Sequence, residues 1–335
     1  MYAGHGPYPV GVTTVALSDR EVEVWYPTDP GAVAGLQTSS YVSFEVLPAG
    51  IVAILPPDLN IEIPMDAYRD VPVSVDGQFP ILTFSHGAGG FRYAYSGFLT
   101  RVASYGIIAV SIDHLEWGLL QQVGLRDDDA VNREAGDVVL ETVARLGDAS
   151  ADAGSVLRGG VDTSRVAMSG HSAGGRAAFA LPDRPEVKAM IGYATGSARG
   201  VETDKPILLL VGTEDGGAAR LEEAYDGLSP VKRFVSIDVA GHNSFTDQCA
   251  IIHGGNNFLD DLVEAGFPVP QNLLDLAIDG CVPRNLAPAT FWDVSTHFTV
   301  AHVRQAFGID ETPVGLGDGI ATAFDGVTMS YRHDP

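Results

Sequence analysis

Residues Val166 to Ala180 read as a strand, a very tight turn and a helix, and few local patterns restrict a chain's architecture as much. Val166 to Ser169 is strand-like, Gly170-His171-Ser172-Ala173-Gly174 turns, and Arg176 to Ala180 is compatible with a helix. Glycines two residues to either side of Ser172 let the strand and helix backbones approach closely, and the turn lifts the serine hydroxyl into the open. Ser172 is therefore the candidate nucleophile. A chain this rich in Gly and Ser produces such a pentapeptide by chance often enough that context has to support it. The flanking strand and helix supply that context.

The pattern continues in both directions. Pro80 to Ser85 reads as a buried strand, Tyr95 to Tyr105 as a helix, Gly106 to Ile112 as a strand and Ala130 to Leu146 as an amphipathic helix. Beyond the turn come strands at Val187 to Tyr193, Pro206 to Val211 and Arg233 to Val239, with a helix over Ala218 to Tyr225 before the last of them. Near-continuous apolar strands alternating with helices predict an α/β fold with a mostly parallel sheet covered by helices on both faces. Val10 to Leu17 and Glu21 to Tyr26 predict an antiparallel hairpin at one edge. A single domain of 335 residues accommodates these elements, with two insertions. Pro27 to Val75 holds seven of the 20 prolines and predicts irregular segments and short helices. Gln248 to Pro288 contains both cysteines and short helix-like segments at Phe258 to Ala265 and Leu273 to Ile278, and Thr296 to Phe307 reads as a terminal helix on the sheet.

In an open parallel sheet, ligands bind at the carboxyl ends of the strands, so the partners of Ser172 are sought there. After Pro206 to Val211 comes Gly212-Thr213-Glu214-Asp215, and after Arg233 to Val239 comes Ala240-Gly241-His242-Asn243-Ser244-Phe245. A serine hydroxyl is a poor nucleophile at neutral pH. A histidine that takes its proton during attack and returns it to the leaving group removes that difficulty, and a carboxylate orients the imidazole. His242 and Asp215 are the candidates. Glu214 competes with Asp215, which is favoured as the shorter acid beside the flexible Gly216-Gly217. A fourth component is Ser85-His86-Gly87-Ala88-Gly89-Gly90, where the backbone N–H of Ala88 is a candidate oxyanion donor together with that of Ala173. Asp113-His114, His297 and His302 are expected to be structural, and no histidine pattern suggests a metal.

With these residues assembled, the chain resembles the α/β-hydrolase family. The nearest branch contains platelet-activating-factor-acetylhydrolase-like, dienelactone-hydrolase-like and cutinase-like polyester hydrolases. The blocks that carry the resemblance are Phe84 to Gly89, Val161 to Arg165, Gly170 to Gly175, Gly241 to Phe245, and Val10-Gly11-Val12 leading to Val24-Trp25-Tyr26-Pro27. It spans residues 8 to 250 and weakens within the two insertions. It implies a serine carboxylic-ester hydrolase working through an acyl-enzyme on short to medium acyl, aryl or polyester substrates, with no cofactor. A phospholipid acetylhydrolase or lipase is the enzymatic alternative, and a catalytically silent binding protein on the same scaffold is the alternative of another class.

Composition narrows the partners. A net charge of -23 argues against nucleic acid and anionic membranes, because both require basic patches. Only Lys188, Lys205 and Lys232 are lysines, and such an acidic, lysine-poor surface suits a salty or extracellular setting. No run of about 18 apolar residues is present to span a bilayer. The reading is a monomer, secreted after loss of a leader, with a cytoplasmic protein as the alternative. Arg92 is the lone basic residue beside the oxyanion turn, which favours a neutral carboxylic ester over a phosphoester. Phe91, Trp117 and Phe245 are candidate pocket residues. Cys249 and Cys281 lie 32 positions apart, and the sequence leaves both a disulfide and two free thiols open.

Overall fold

The computed structural model describes the whole chain except residues 58-59, 127-131, 254-262, 265 and 267-268. Its hairpin of β1 (Val10–Ala16) and β2 (Glu21–Pro27) is antiparallel, as expected, with Val12 opposite Trp25. The insertion that follows holds short turns at Pro30–Val33, Ser43–Val46 and Ala49–Val52 and a two-stranded ribbon of β3 (Ser40–Val42) and β4 (Glu62–Pro64). It ends in β5 (Tyr68–Arg69), which pairs with β1 and so displaces the hairpin from the sheet edge. Prolines and the absence of a sustained apolar period account for the brevity of these elements.

The central strands are β6 (Phe79–Ser85), β7 (Ile108–Ile112), β8 (Val161–His171), β9 (Val187–Tyr193), β10 (Ile207–Gly212) and β11 (Lys232–Ile237). With β12 (Met329–Asp334) they complete a ten-stranded sheet in the order β12-β11-β10-β9-β8-β6-β7-β2-β1-β5. From β7 through β11 every pair is parallel. In β10 the side chains alternate between two hydrophobic layers: Leu208 and Leu210 face one, Ile207, Leu209 and Val211 the other. A strand buried on both faces has to be apolar at consecutive positions, which is why these runs are so evident in the sequence. Strand β12 was not anticipated. It is an antiparallel edge strand whose residues alternate between half-buried and exposed, with charged and polar side chains that mimic a loop.

The helices divide between the layers. Helix α1 (Ser96–Ala103) places Phe98, Leu99 and Val102 in the first, beside residues of α7 (Pro288–Ala306). Helix α2 (Ala135–Ala151) buries Val138, Val139 and Leu146 in the second, together with the short α3 (Gly175–Ala178) and α4 (Ala218–Asp226). Helix α2 begins five residues later than the predicted Ala130 and runs on to Ala151; residues 130 and 131 lie outside the described ones. Helix α7 begins at Pro288, eight residues before the predicted start, because proline is tolerated in a first turn where no N–H partner is needed. The second insertion contains α5 (Asp247–His253) and α6 (Gln271–Ile278), while of the segment predicted at Phe258 to Ala265, residues 258-262 and 265 lie outside the described ones.

From β6 the chain crosses to β7 on one side and then returns to β8 on the other, so the strand order reverses between the carboxyl ends of β6 and β8. Such a reversal opens a crevice where two loops diverge. The second insertion is closed on itself and tied to helix α1. Cys249 and Cys281 form a disulfide, and Asp247, 3% exposed, accepts the backbone N–H groups of Ser96 at 2.8 Å and Gly97 at 2.9 Å at the start of α1. Burial raises the Asp247 carboxyl to about 7 in spite of these hydrogen bonds.

Closing a loop of this length is worth about 3.5 to 4 kcal/mol of unfolded-state entropy. Reduction, or Cys249→Ser with Cys281→Ser, should lower the free energy of unfolding by that amount and the denaturant midpoint with it, and an unchanged midpoint would contradict the tie. The raised Asp247 value means that the folded chain holds a proton between about pH 4 and 7 that the unfolded chain has lost. Its contribution to stability therefore falls as pH rises through that window and is level above it. Unfolding titrations should show the stability difference between wild type and Asp247→Asn shrinking from pH 4 to 7, and growth over the same range would contradict it.

Candidate active site

The turn after β8 is too tight for side chains at two positions. A Cβ on Gly170 would sit 2.2 Å from the Gly174 carbonyl oxygen, and one on Gly174 would sit 2.0 Å from that of Ser85. Both glycines are therefore obligatory for the strand to reverse into the helix beside β6. Ser172 takes φ of 53° between them, a left-handed conformation costly for a residue with a Cβ. The strain sets Ser172 at the tip of the turn, half-buried, where Oγ makes no hydrogen bond among the described residues.

Loops at the ends of β10 and β11 supply the other two groups. His242 Nδ1 lies 2.8 Å from Asp215 Oδ2. That contact turns the opposite ring nitrogen, Nε2, away from the carboxylate. The ring of His171, the residue preceding Ser172, lies 4.8 Å from the His242 ring, which places the imidazole beside the elbow. Catalytic hydrogen bonds are commonly open in ligand-free enzymes and close when substrate binds. Burial alone would raise the Asp215 carboxyl, but the hydrogen bond and charge of His242 and the Gly217 N–H at 2.6 Å hold it below the usual aspartate range. Asp215 is thus an anion at neutral pH, fixed by its own loop. Glu214 points elsewhere and pairs with Arg284 at 3.0 Å and Asn285 at 2.9 Å.

The His242 loop is itself held from behind by the second insertion. Asn243 N–H donates to the Asp279 carbonyl at 2.8 Å, and a Cβ on Gly241 would meet Asp279 and Gly280. Cys281 follows directly, so the disulfide anchors the support of the imidazole-bearing loop. The sequence places the cysteines near the site without revealing this buttress.

On the facing side, the turn after β6 is shaped by its own hydrogen bonds. The N–H groups of Gly87, Gly89 and Gly90 go to Tyr95 Oη, the Trp117 carbonyl and the Gly87 carbonyl. The N–H of Ala88, between these bonded glycines, has no hydrogen bond among the described residues. His86 is buried and donates from Nδ1 to the Gly87 carbonyl, since its Nε2 accepts the His114 N–H. Asp113 pairs with Arg92 at 2.7 Å, and Glu21 takes the same guanidinium at 2.8 Å. The cation beside the turn is thereby ion-paired within the protein, while His114 meets Ser85 Oγ and His302 meets Arg233.

Two of the three candidate pocket residues are not where they were expected. Phe245 is 1% exposed and packs on His171, Tyr193 and Phe291, so it supports the site from the core. Trp117 is buried, stacks on His114 and donates Nε1 to the His86 carbonyl at 2.9 Å. A side chain closed in by such neighbours has no face left for a ligand. Phe91 remains half-buried, edge-on to Tyr41. Among the described residues no cluster of three or more His, Cys, Asp or Glu is arranged to hold a metal ion.

Comparison with known proteins adds family relationships to this geometry. The family described as platelet-activating factor acetylhydrolase, isoform II, matches residues 2–141, which include the oxyanion turn and end before the elbow. A platelet-activating factor acetylhydrolase of Cavia porcellus is 26% identical over 122 residues, covering 33% of this chain and 28% of that protein. The match thus spans under a third of the curated relative's length. A ferulic acid esterase from Streptomyces cinnamoneus is similar in structure over 98% of both chains, with a TM-score of 0.61 and 20% sequence identity. The parallel sheet with its reversal between β6 and β8, and the structural likeness over the whole chain, give the chain the α/β-hydrolase fold.

Proposed function

We propose that the chain is a serine ester hydrolase acting through an acyl-enzyme, with Ser172 as nucleophile, His242 as general base and acid, and Asp215 as the group that orients it. The observation that carries this reading is the 2.8 Å contact between His242 Nδ1 and an ionised, buried Asp215, on loops that face a strained elbow serine. As Ser172 Oγ attacks the ester carbonyl, its proton passes to His242 Nε2, and Asp215 stabilises the imidazolium. The N–H groups of Ala88 and Ala173 receive the oxyanion of the tetrahedral intermediate. The alcohol leaves with the proton from His242, and a water activated by the same nitrogen releases the acid.

The substrate class is a neutral carboxylic ester with a short to medium acyl, aryl or polyester character. Arg92 is paired with Glu21 and Asp113, which supports neutrality at the reacting end. Phospholipid acetylhydrolysis is the second reading, favoured by the family match over residues 2–141. A series of p-nitrophenyl esters from acetate to palmitate, with a short-acyl phospholipid in parallel, separates the two. The chain is read as a monomer that works outside the cell. A disulfide and an excess of acidic residues support that setting, and no helix among the described residues is long and apolar enough to cross a membrane.

Ser172→Ala should lower kcat on p-nitrophenyl acetate by about 10^6-fold, with the fold retained by circular dichroism. Retained turnover would defeat the assignment. Asp215→Asn leaves the loop in place but favours the wrong imidazole tautomer, and should cost about 10^4-fold in kcat. Glu214→Gln breaks only an exposed pair and should leave kcat unchanged. The opposite ranking of these two acids in steady-state kinetics would overturn the choice of Asp215.

A further inference from the structure

His171 is a buried histidine with both ring nitrogens occupied, and its partners fix where its proton sits. Nε2 lies 2.8 Å from the main-chain carbonyl oxygen of His242, a group that only accepts, so Nε2 carries the hydrogen. Nδ1 must then accept, and Tyr95 Oη, 2.8 Å away, must donate to it. A lone pair of the same hydroxyl accepts the Gly87 N–H at 3.2 Å. Every group is used in a single consistent direction. Tyr95 and His171 are 2% and 1% exposed, so no water competes for these bonds. Burial, and then the proximity of His242, push His171 down to about 3, which keeps the ring in the neutral form that the arrangement requires.

The ends of this chain of bonds are the parts of the site. Gly87 adjoins Ala88, His171 adjoins Ser172, and the carbonyl belongs to His242. We propose that Tyr95 and His171 are positioning residues for the ester hydrolysis, forming one hydrogen-bonded relay that sets both the direction of the Ala88 N–H and the reach of the His242 ring toward Ser172. The inference rests on the serine-hydrolase reading.

Packing leaves the relay little play. A Cβ on Gly87 would fall 2.9 Å from His171 Nδ1 and 3.2 Å from Ser172 Cβ, so the oxyanion turn is pressed directly on the elbow and the relay. Tyr95 is braced by Phe84, with ring centroids 4.5 Å apart, and His171 by Phe245 at 5.5 Å. Breaking one bond in such a wedge shifts its dependents by fractions of an ångström. Misplacement on the scale of 1 Å costs a reaction of this kind about 10^2-fold.

The test is turnover of p-nitrophenyl acetate by Tyr95→Phe, His171→Ala and His171→Gln. Each is normalised to the fraction of sites that a serine-directed fluorophosphonate labels to completion. Tyr95→Phe retains the ring and removes only Oη. It should lower kcat per labelled site about tenfold to a hundredfold while KM stays within about twofold. His171→Gln keeps an N–H for the His242 carbonyl and should retain more activity than His171→Ala. The double variant Tyr95→Phe/His171→Ala should be no slower than His171→Ala alone, because the relay is already broken. A purely structural role would lower the labelled fraction and the Tm but not kcat per labelled site. Wild-type kcat in Tyr95→Phe, or losses that multiply in the double variant, would overturn the relay. Activity surviving in Ser172→Ala would instead overturn the hydrolase reading itself.

Discussion

Gly174 has no room for a side chain because the carbonyl of Ser85, at the end of the neighbouring strand β6, would lie 2.0 Å from its Cβ. This contact between two backbones is the constraint on which the rest of the molecule depends. It forces the chain to reverse sharply after β8, strains Ser172 into the left-handed region, and presses the turn after β6 against the same point. The parallel sheet behind it supplies the rigidity. Strands buried in two apolar layers cannot slide without exposing one of them, so the ends of β6, β8, β10 and β11 hold fixed relative positions.

Electrostatics then differentiates otherwise similar groups. Asp215 and Asp247 are both buried carboxylates, yet they are moved in opposite directions. His242 and the Gly217 N–H keep Asp215 ionised, whereas Asp247, with only main-chain and hydroxyl donors close by, is raised by burial. One acid is a permanent anion behind an imidazole, and the other is a neutral-range latch between the second insertion and helix α1. His242 and His171, 4.8 Å apart, divide in a similar way. His171 gives both nitrogens to fixed partners, while His242 spends one on Asp215 and keeps the other beside the elbow.

Much of this was legible in the sequence because it rests on local chemistry. The elbow glycines, the apolar strands and the loops carrying Asp215 and His242 each announce themselves over a few residues. Asp215 was favoured over Glu214 as the shorter acid beside Gly216-Gly217, and its carboxylate is the one in contact with His242. Other features depend on distant partners and left little trace. Phe245 and Trp117 read as pocket aromatics because the sequence does not say which face of a loop turns inward, and the structure turns both to the core. The roles of Asp247 and Tyr95 arise from contacts 151 and 76 residues away in the chain. Strand β12 is an exposed edge whose polar alternation carries no buried face to betray it.

In the proposed mechanism one hydroxyl, at position 172, is made nucleophilic by its surroundings. The most direct test is to treat the folded protein with a fluorophosphonate and map the adduct by peptide mass spectrometry. One adduct per chain is expected, on the peptide containing Ser172, formed faster than in Asp215→Asn. An adduct on another residue, or none in a chain shown to be folded, would contradict it.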